Sequence, residues 1–407
     1  MSKLRVRMYN VRFGDAILVS VPDKAKNGKE TMRHILIDMG NLLNGKEGAD
    51  DVFEAVLDNV IEEVGTGREL DLFVMTHEHL DHAQGLLYCS VEHGKTIKAK
   101  HAWLTASAEP TYYDTHEKAK EKKMEAEAEY RRIRGLLQAA PGAGDERLDG
   151  LLAINNRHLG AGEDGEDTRS TTDCVDFLRT LAPEKKTHYV HRETDLEGKH
   201  PFKEAKLALW APEEDTSDYY GKFVPLALAS VPVGTAADGV ATPPEPPPGV
   251  DPQAFKDLVA AMGAGMAENI RAIDEAANNT SIVLSLEWRG WRLLFPGDAE
   301  RRSWKTIWRE LKNGDELGPV DFLKVSHHGS ETGIPFPEEL VERLFPRDRP
   351  DGPIPAVVSH YPTKAFAKIP ADEQMSEVFD GRCELHYVFD ECPEDRPWLD
   401  YEFEAKE

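Results

Sequence analysis

Apolar positions along the chain follow two periods. Near the start they alternate: Val6, Met8 and Val11, then Ala16, Ile17, Leu18 and Val19, flank a turn at Phe13-Gly14-Asp15, which predicts paired strands. A third strand, His34-Ile35-Leu36-Ile37-Asp38, ends at Met39-Gly40-Asn41. From there Val52, Phe53, Val56, Leu57, Val60 and Ile61 recur at helical spacing. The run Leu72-Phe73-Val74-Met75 is short enough for a buried strand. Strand, helix, strand in that order implies a layered α/β arrangement.

Strand signals vanish over 107–183, where a charged run at 117–134 precedes a polar, Gly-containing stretch at 142–167. This predicts an insertion of two helices and a mobile loop. Strands resume at His188-Tyr189-Val190 and Ala208-Leu209-Trp210. A second insertion, 222–277, carries the stiff polyproline-like stretch Pro243-Pro244-Glu245-Pro246-Pro247-Pro248-Gly249 and closes with a helix over 254–277. The final third predicts strands over 282–288, 291–295, 320–325 and 356–359. No repeat of fixed period interrupts this order, so 1–407 reads as a single domain with two insertions.

Composition narrows the picture. A chain of 407 residues can bury a sizeable core, and its longest apolar stretches fall well short of the ~20 residues a membrane helix needs. The start, Met1-Ser2-Lys3-Leu4-Arg5, runs into a strand pattern without a secretory signal. Cys89, Cys174, Cys383 and Cys392 form no CxxC pair, as expected of reduced thiols that are not metal ligands. A cytoplasmic location follows as the expectation. The net charge of -25, from 49 basic and 74 acidic residues, disfavours tight nonspecific binding to DNA. Lys118, Lys120, Lys122, Lys123, Arg131, Arg132 and Arg134 are interleaved with Glu117, Glu121, Glu125, Glu127 and Glu129, which suits a solvated helix better than a basic face.

The chemistry is concentrated after the fourth strand, in Thr76-His77-Glu78-His79-Leu80-Asp81-His82. Residues two apart on an extended stretch project to one side, so His77 and His79 can grip one ion. If the chain then turns into a helix through Gly85, Asp81 and His82 are redirected toward a second ion beside the first. Two later strands end in metal-capable residues. Arg292-Leu293-Leu294-Phe295-Pro296-Gly297-Asp298 delivers a carboxylate suited to bridging two cations, and Asp321-Phe322-Leu323-Lys324-Val325-Ser326-His327-His328-Gly329-Ser330 delivers histidines to a Gly-Ser turn.

Together these segments resemble the metallo-β-lactamase superfamily. More narrowly they resemble the soluble hydrolase domain of the ComEC-like DNA-uptake competence proteins, through Tyr9-Asn10-Val11-Arg12-Phe13-Gly14-Asp15-Ala16-Ile17-Leu18, Ile37-Asp38-Met39-Gly40, the HEHLDH cluster, Leu209-Trp210-Ala211-Pro212, Asn278-Asn279-Thr280-Ser281-Ile282-Val283-Leu284, Pro296-Gly297-Asp298-Ala299-Glu300 and Leu323-Lys324-Val325-Ser326-His327-His328-Gly329-Ser330, in that order. The match spans most of the chain outside the two insertions and the last forty or so residues. It implies an αββα sandwich of the metallo-β-lactamase type with two insertions. It also implies a site of His77, His79, Asp81, His82, Asp298 and His328 for two divalent cations, zinc first and manganese as the alternative. The competence-type domains usually lack one histidine of the cluster, whereas this chain has both His77 and His79, which favours two metals over one.

Some roles stay open at this level. The superfamily often adds a histidine between the cluster and the bridging aspartate, and His188 and His191 are the two candidates. By likeness to related nucleases His328 is the ligand, which leaves His327 to contact substrate, donate a proton or simply pack. Asp38 is either a hydrogen-bond acceptor for a ligand histidine or a turn-former before Gly40.

Two cations about 3.5–4 Å apart would lower the pKa of a shared water to ~7 and neutralise charge developing on the attacked group. The expected function is a hydrolase using metal-activated hydroxide on a phosphodiester, such as a short single-stranded nucleic acid or a nucleotide, with Asp81, Asp298 and His327 in the catalytic set. A lactone or thioester hydrolase is the alternative, and a non-catalytic metal-binding protein that docks a protein partner through its insertions is a third reading. The native metal, the oligomeric state and whether the insertions form a lid are not encoded legibly.

Overall fold

The computed structural model describes residues 2–25, 27–42, 51–65, 67–139, 148, 151, 152, 170–225, 251–314 and 316–406. Thirteen strands form two mixed sheets among these residues. The first contains β1 (Leu4–Tyr9), β2 (Ala16–Lys24), β3 (Glu30–Met39), β4 (Leu72–Met75), β5 (Ala102–Thr105), β6 (Thr187–Val190) and β13 (Trp398–Phe403), in the order β13-β1-β2-β3-β4-β5-β6. The second contains β7 (Ala205–Ala211), β8 (Val283–Trp288), β9 (Trp291–Phe295), β10 (Phe322–Lys324), β11 (Ile354–Val358) and β12 (Cys383–Tyr387), in the order β12-β11-β10-β9-β8-β7.

Side-chain alternation sorts these strands into layers. Val6, Met8, Ile17, Val19, Ile35, Ile37, Leu72, Val74 and Trp103 of the first sheet share one buried cluster with Leu284, Leu286, Leu293, Phe295, Phe322 and Val357 of the second. The opposite faces are covered by helices. Leu18, Leu36, Phe73, Met75 and Leu104 pack on Phe53, Val56, Leu57 and Val60 of helix Asp51–Val64 and on Leu86 and Cys89 of helix Gly85–Glu92. Leu294, Leu323, Ala356 and Val358 pack on Trp304, Ile307 and Leu311 of helix Arg301–Asn313 and on Leu340, Val341 and Leu344 of helix Glu338–Leu344. The α/β expectation holds in this mixed form.

Within each sheet the pairs nearest the chemistry are parallel: β3-β4-β5-β6 in the first, β9-β10-β11-β12 in the second. Parallel strands present their carboxyl ends along one edge, where open α/β sheets hold ligands. Asp38, His77, Asp298, His328 and Ser359 all lie at or just beyond such ends.

The insertions contribute more than their sequence suggests. Helix Thr171–Leu178, started by a reciprocal capping box between Ser170 and Asp173, buries Cys174, Val175 and Leu178 in the helix layer of the first sheet. This end of the 107–183 stretch is therefore part of the main core. Helices Glu117–Ala139 and Pro252–Asn278 meet through Tyr130, Ile133, Met266 and Ile270, in a cluster that includes Phe13 and Phe366. Asn269 donates to Glu129 across this contact at 2.7 Å. The loop expected at 142–167 lies outside the described residues except for 148, 151 and 152, as does the proline stretch 243–249.

Candidate metal centre

Beyond β4 the chain bends at His77 and Glu78 and passes through an extended His79 into the short helix Leu80–Ala83, which carries Asp81 and His82. Close backbone packing holds it there. The amide of Asp15 donates to the carbonyl of Asp81 at 3.0 Å, and that of Gly40 to the carbonyl of Asp15 at 3.0 Å. Gly40 has no room for a side chain: a Cβ would overlap the amide nitrogen of His82 and the carbonyl carbon of Asp81. Gly297, at φ 56, similarly presses against Thr76.

The strand ends bring Asp81, His82, Asp298 and His328 together, with one ligand atom from each within 4.8 Å of the others and all four buried. Nε2 of His82 lies 3.1 Å from Oδ2 of Asp298, Nε2 of His328 lies 3.3 Å from the same oxygen, and His328 Nε2 is 3.2 Å from Oδ2 of Asp81. His77 sits beside His82, ring centroids 4.2 Å apart, and His79 beside His77 at 4.7 Å.

Three imidazoles are anchored through Nδ1, which turns Nε2 inward. His82 Nδ1 is 2.9 Å from Oδ2 of Asp38, His328 Nδ1 donates to the Ser359 carbonyl at 2.8 Å, and His77 Nδ1 is 3.1 Å from the Thr76 hydroxyl. Asp38 also accepts from the Thr76 amide at 2.7 Å and the Thr76 hydroxyl at 2.6 Å. It is therefore a hydrogen-bond acceptor for the His82 ring, as the first of its two sequence readings expects, and not only a turn-former. Outer partners of this kind fix tautomer and ring angle.

Electrostatics separate the two sides of the cluster. Burial disfavours the His82 cation, yet Asp298, Asp81 and Asp38 hold its pKa well above the ordinary value. His328 is likewise buried, but Asp298, with Asp81, raises it to about 9. Burial opposes the charged form of Asp298, and His82, His328 and Lys324 overcome this to hold it well below the usual carboxylate range. His77 behaves oppositely, its pKa driven well down by burial and by His82 and His79.

The residues fit a divalent cation. Nε2 of His77, Oδ1 of Asp81 and Nε2 of His82 are buried without a well-formed hydrogen bond, a costly state for polar atoms unless a further partner binds there. Neutral imidazole nitrogens and carboxylate oxygens are the donor set that divalent metals of the zinc and manganese type accept. The backbone is strained at the same place. Among described residues only Arg12, Asp38, Arg289, His327 and His328 are non-glycines at positive φ, and three of these five are in or beside the cluster, where such strain commonly marks function.

His188 and His191 do not join it. His188 lies on β6 with its ring 6.0 Å from that of His101, which precedes β5, so it belongs to the amino end of these parallel strands, opposite the cluster. His191 is at the correct end, but its Nδ1 is 3.0 Å from Oε2 of Glu193. His327 is adjacent but turned away from its neighbour. Its Nδ1 lies 3.2 Å from Glu300 and 2.8 Å from the Ser330 hydroxyl, and its Nε2 is 3.3 Å from Nδ2 of Asn278. It also lines a cavity of about 600 Å³ with Asp274, Glu300, Phe13 and Phe366. None of the four cysteines enters a metal-capable group among the described residues.

Several contributors were not read from the sequence. Lys324 is fully buried on β10, ion-paired to Asp15 and 3.3 Å from Asp298. Asp15 also accepts from the Ser359 hydroxyl. Asp274, Glu300 and His327 form a further metal-capable group. A lysine inside the apolar run Phe322-Leu323-Lys324-Val325 was the one available signal.

A scan against protein-family models and a search among curated proteins each find no match to this chain.

Proposed function

We propose that the protein is a metal-dependent hydrolase of the metallo-β-lactamase type, with the helix-covered pair of sheets as its αββα sandwich. The observation that carries this reading is the convergence of Asp298 Oδ2 on Nε2 of both His82 and His328, 3.1 and 3.3 Å away, from three separate strand ends. His77, His79, Asp81, His82, Asp298 and His328 would hold a pair of divalent cations, zinc or manganese. When bound, such cations supply Lewis acidity and make water acidic enough to attack at neutral pH.

The chain's own groups prepare that chemistry. Asp38, Ser359 and Thr76 set the ring orientations; His82 and His328, with Lys324, hold Asp298 ionised; Phe13, with its ring 4.7 Å from that of His328, shields that imidazole from water. His327 lines the cavity with its pKa raised, since Glu300 outweighs the effect of burial. It is placed to hydrogen-bond a substrate or give a proton to a leaving group.

A phosphodiester is the first substrate class, on the resemblance to competence-type hydrolases. The second, a lactone or thioester, is favoured by the cavity wall, where Asp274, Glu275, Glu300, Glu331, Asp372 and Glu373 outnumber Arg271 and Lys368. Such a wall repels polyanions and admits small, weakly charged substrates. The basic run does not offset it, because Lys122, Arg131 and Arg132 are paired to Glu125, Glu127 and Glu129 of their own helix. Hydrolysis of bis(p-nitrophenyl) phosphate and of a simple lactone by the zinc- and manganese-loaded protein tests the reading. Turnover of neither, with metal bound, would overturn it.

A further inference from the structure

A second cavity opens at the carboxyl end of β5. The chain leaves Thr105 through the short turn Ala106–Ala108, beside a cavity of about 400 Å³ whose wall includes Glu78, Ser107, Glu109, Lys123, Thr172 and Arg179. Glu78 stands between His77 and His79 in the chain. The larger cavity meets the same turn at another point, since Oδ1 of Asp274, one of its wall residues, lies 3.8 Å from Nε2 of His79. The histidine turn therefore borders both cavities. Helix Glu117–Ala139 runs past both as well, with Lys123 on the smaller and with Tyr130 and Ile133 packed in one cluster with Phe13 and Phe366 of the larger.

The wall of the smaller cavity carries unmet hydrogen-bonding groups. Ser107 is only 4% exposed, yet its hydroxyl has no hydrogen-bond partner. Arg179 donates to Asp176 and to the carbonyl of Ala108, the residue after Ser107, and its Nε is buried without an acceptor. Buried polar groups left unsatisfied are costly, and two of them on one cavity wall mark a missing partner. Donors and acceptors define that partner. The Nε–H of Arg179 needs an acceptor, which an ammonium group lacks. Glu78, Glu109, Glu127 and Asp176 outnumber Lys123 and Arg179 on the wall, which disfavours an anion. A hydroxyl group donates, accepts and carries no charge, and carboxylates hold the hydroxyls of ribose in the same way. Pro110 and Val175 add an apolar patch suited to the carbon face of a sugar ring.

We propose that this cavity is a second substrate subsite, holding an uncharged hydroxylated arm, a sugar, beside the metal centre, with Ser107 and Arg179 as its specificity-determining residues. The inference rests on the phosphodiester reading above and deepens it. A diester has two substituents, and the histidine turn borders two cavities: the sugar occupies the smaller, and the second substituent extends toward Phe13 and Phe366 in the larger. A phosphomonoester or a small lactone would leave one of them empty.

Two measurements on the full-length protein test this. Saturation-transfer NMR with methyl ribofuranoside reads binding without turnover. The wild type should show transfer to the sugar protons, and both Ser107→Ala, which removes a hydroxyl, and Thr172→Trp, which fills the cavity from its exposed rim, should weaken it. On the zinc-loaded protein, the p-nitrophenyl diester of a methyl riboside phosphate should exceed methyl p-nitrophenyl phosphate in kcat/KM by about tenfold or more, and both variants should lose that preference. Circular dichroism establishes that each variant is folded, and Ser107→Ala carries the test should the tryptophan variant not fold. Absence of transfer in the wild type, or transfer of equal strength in the folded variants, would overturn the subsite. Hydrolysis of both diesters without preference would also overturn it while leaving the metal-dependent reading intact. Hydrolysis of neither, with metal bound, would overturn the phosphodiester reading and with it the role of the cavity as a substrate arm, and the NMR result would then stand alone as evidence for or against a sugar site.

Discussion

Oδ2 of Asp38 lies 2.9 Å from Nδ1 of His82, and this contact decides which nitrogen of the ring faces Asp298. The same carboxylate takes two hydrogen bonds from Thr76, so all its donors come from residues flanking or within the histidine motif. Asp38→Asn presents one acceptor oxygen to three donors, and Asp38→Ala presents none. Both variants should remain folded and bind zinc about 10–100-fold more weakly, with Asp38→Ala the weaker of the two. Chelator competition measures this. Unchanged affinity in both would reduce Asp38 to a turn-former.

Asp298 is the carboxylate that lies within 3.3 Å of both His82 and His328. Asp298→Asn keeps its shape and loses its charge, so turnover of the responsive ester should fall by more than about 100-fold, beyond the usual effect of an outer partner, with less than the full metal complement bound. The measurement pairs steady-state kinetics with elemental analysis. A folded variant with full metal and near-normal turnover contradicts the proposed role.

The metal-free and metal-loaded proteins should respond to pH in opposite ways. His82 and His328 have folded-state pKa values above their unfolded value of about 6.5, His328 at about 9. Their protonated forms therefore stabilise the metal-free fold fully below pH ~6.5, and this contribution is lost as pH rises through about 9. Thermal unfolding with EDTA should show a falling Tm over that window. Cation binding requires the same protons to leave, so zinc affinity should rise with pH across it. A metal-free Tm that climbs from pH 6.5 to 9 would contradict the ion-paired cluster.

Gly40 tests the backbone scaffold rather than the ligands. A methyl group there meets main-chain atoms of Asp81 and His82, which cannot swing aside as a side chain can. Gly40→Ala should cost about 1–3 kcal/mol or more in stability and lower metal affinity, because relief of the overlap displaces the ligand turn. Gly94→Ala, with no neighbour within 4 Å, should leave metal binding unchanged. Chemical denaturation and zinc titration of both variants give the comparison.

Lys324 offers a charge test. Lys324→Met takes from buried Asp15 its close ion-pair partner, leaving the Ser359 hydroxyl and, 3.8 Å away, Nδ1 of His82, and removal of one member of a buried pair costs about 3–5 kcal/mol. Bound metal should recover part of this loss, because Asp298 gains a cation in exchange. Urea unfolding with and without zinc measures both values; an equally stable variant would show that the ammonium is dispensable.

Those parts of the site written in consecutive residues were legible from the sequence. Thr76-His77-Glu78-His79-Leu80-Asp81-His82 announces itself because its ligand types are dense and follow an apolar strand, and strands ending at Asp298 and His328 carry the same signature in weaker form. Asp15, Asp274, Asn278 and Ser359 are single polar residues in ordinary turn, helix-end and strand-end contexts, and only tertiary packing distinguishes them from solvent-facing neighbours. His188 fails as a candidate for a directional reason: parallel strands have two ends, and the alternation that places a residue on a strand does not say which end the ligands share. Of the strands, Ala102–Thr105 is too short to show a period. Leu399, Tyr401 and Phe403 do alternate with Asp400 and Glu402, but amid a charged stretch that masks the pattern.

That late strand affects how the molecule can be made. Trp398–Phe403 is hydrogen-bonded along the whole of Leu4–Tyr9, and Arg7 grips Asp400 through both Nε and Nη2. During synthesis the outer rim of Leu4–Tyr9 must wait for a partner made almost four hundred residues later. A nascent chain arrested before residue 398 would expose a ready template for intermolecular β-pairing, so emergence of Trp398–Phe403, rather than completion of the histidine motif, sets the earliest moment at which the first sheet can close.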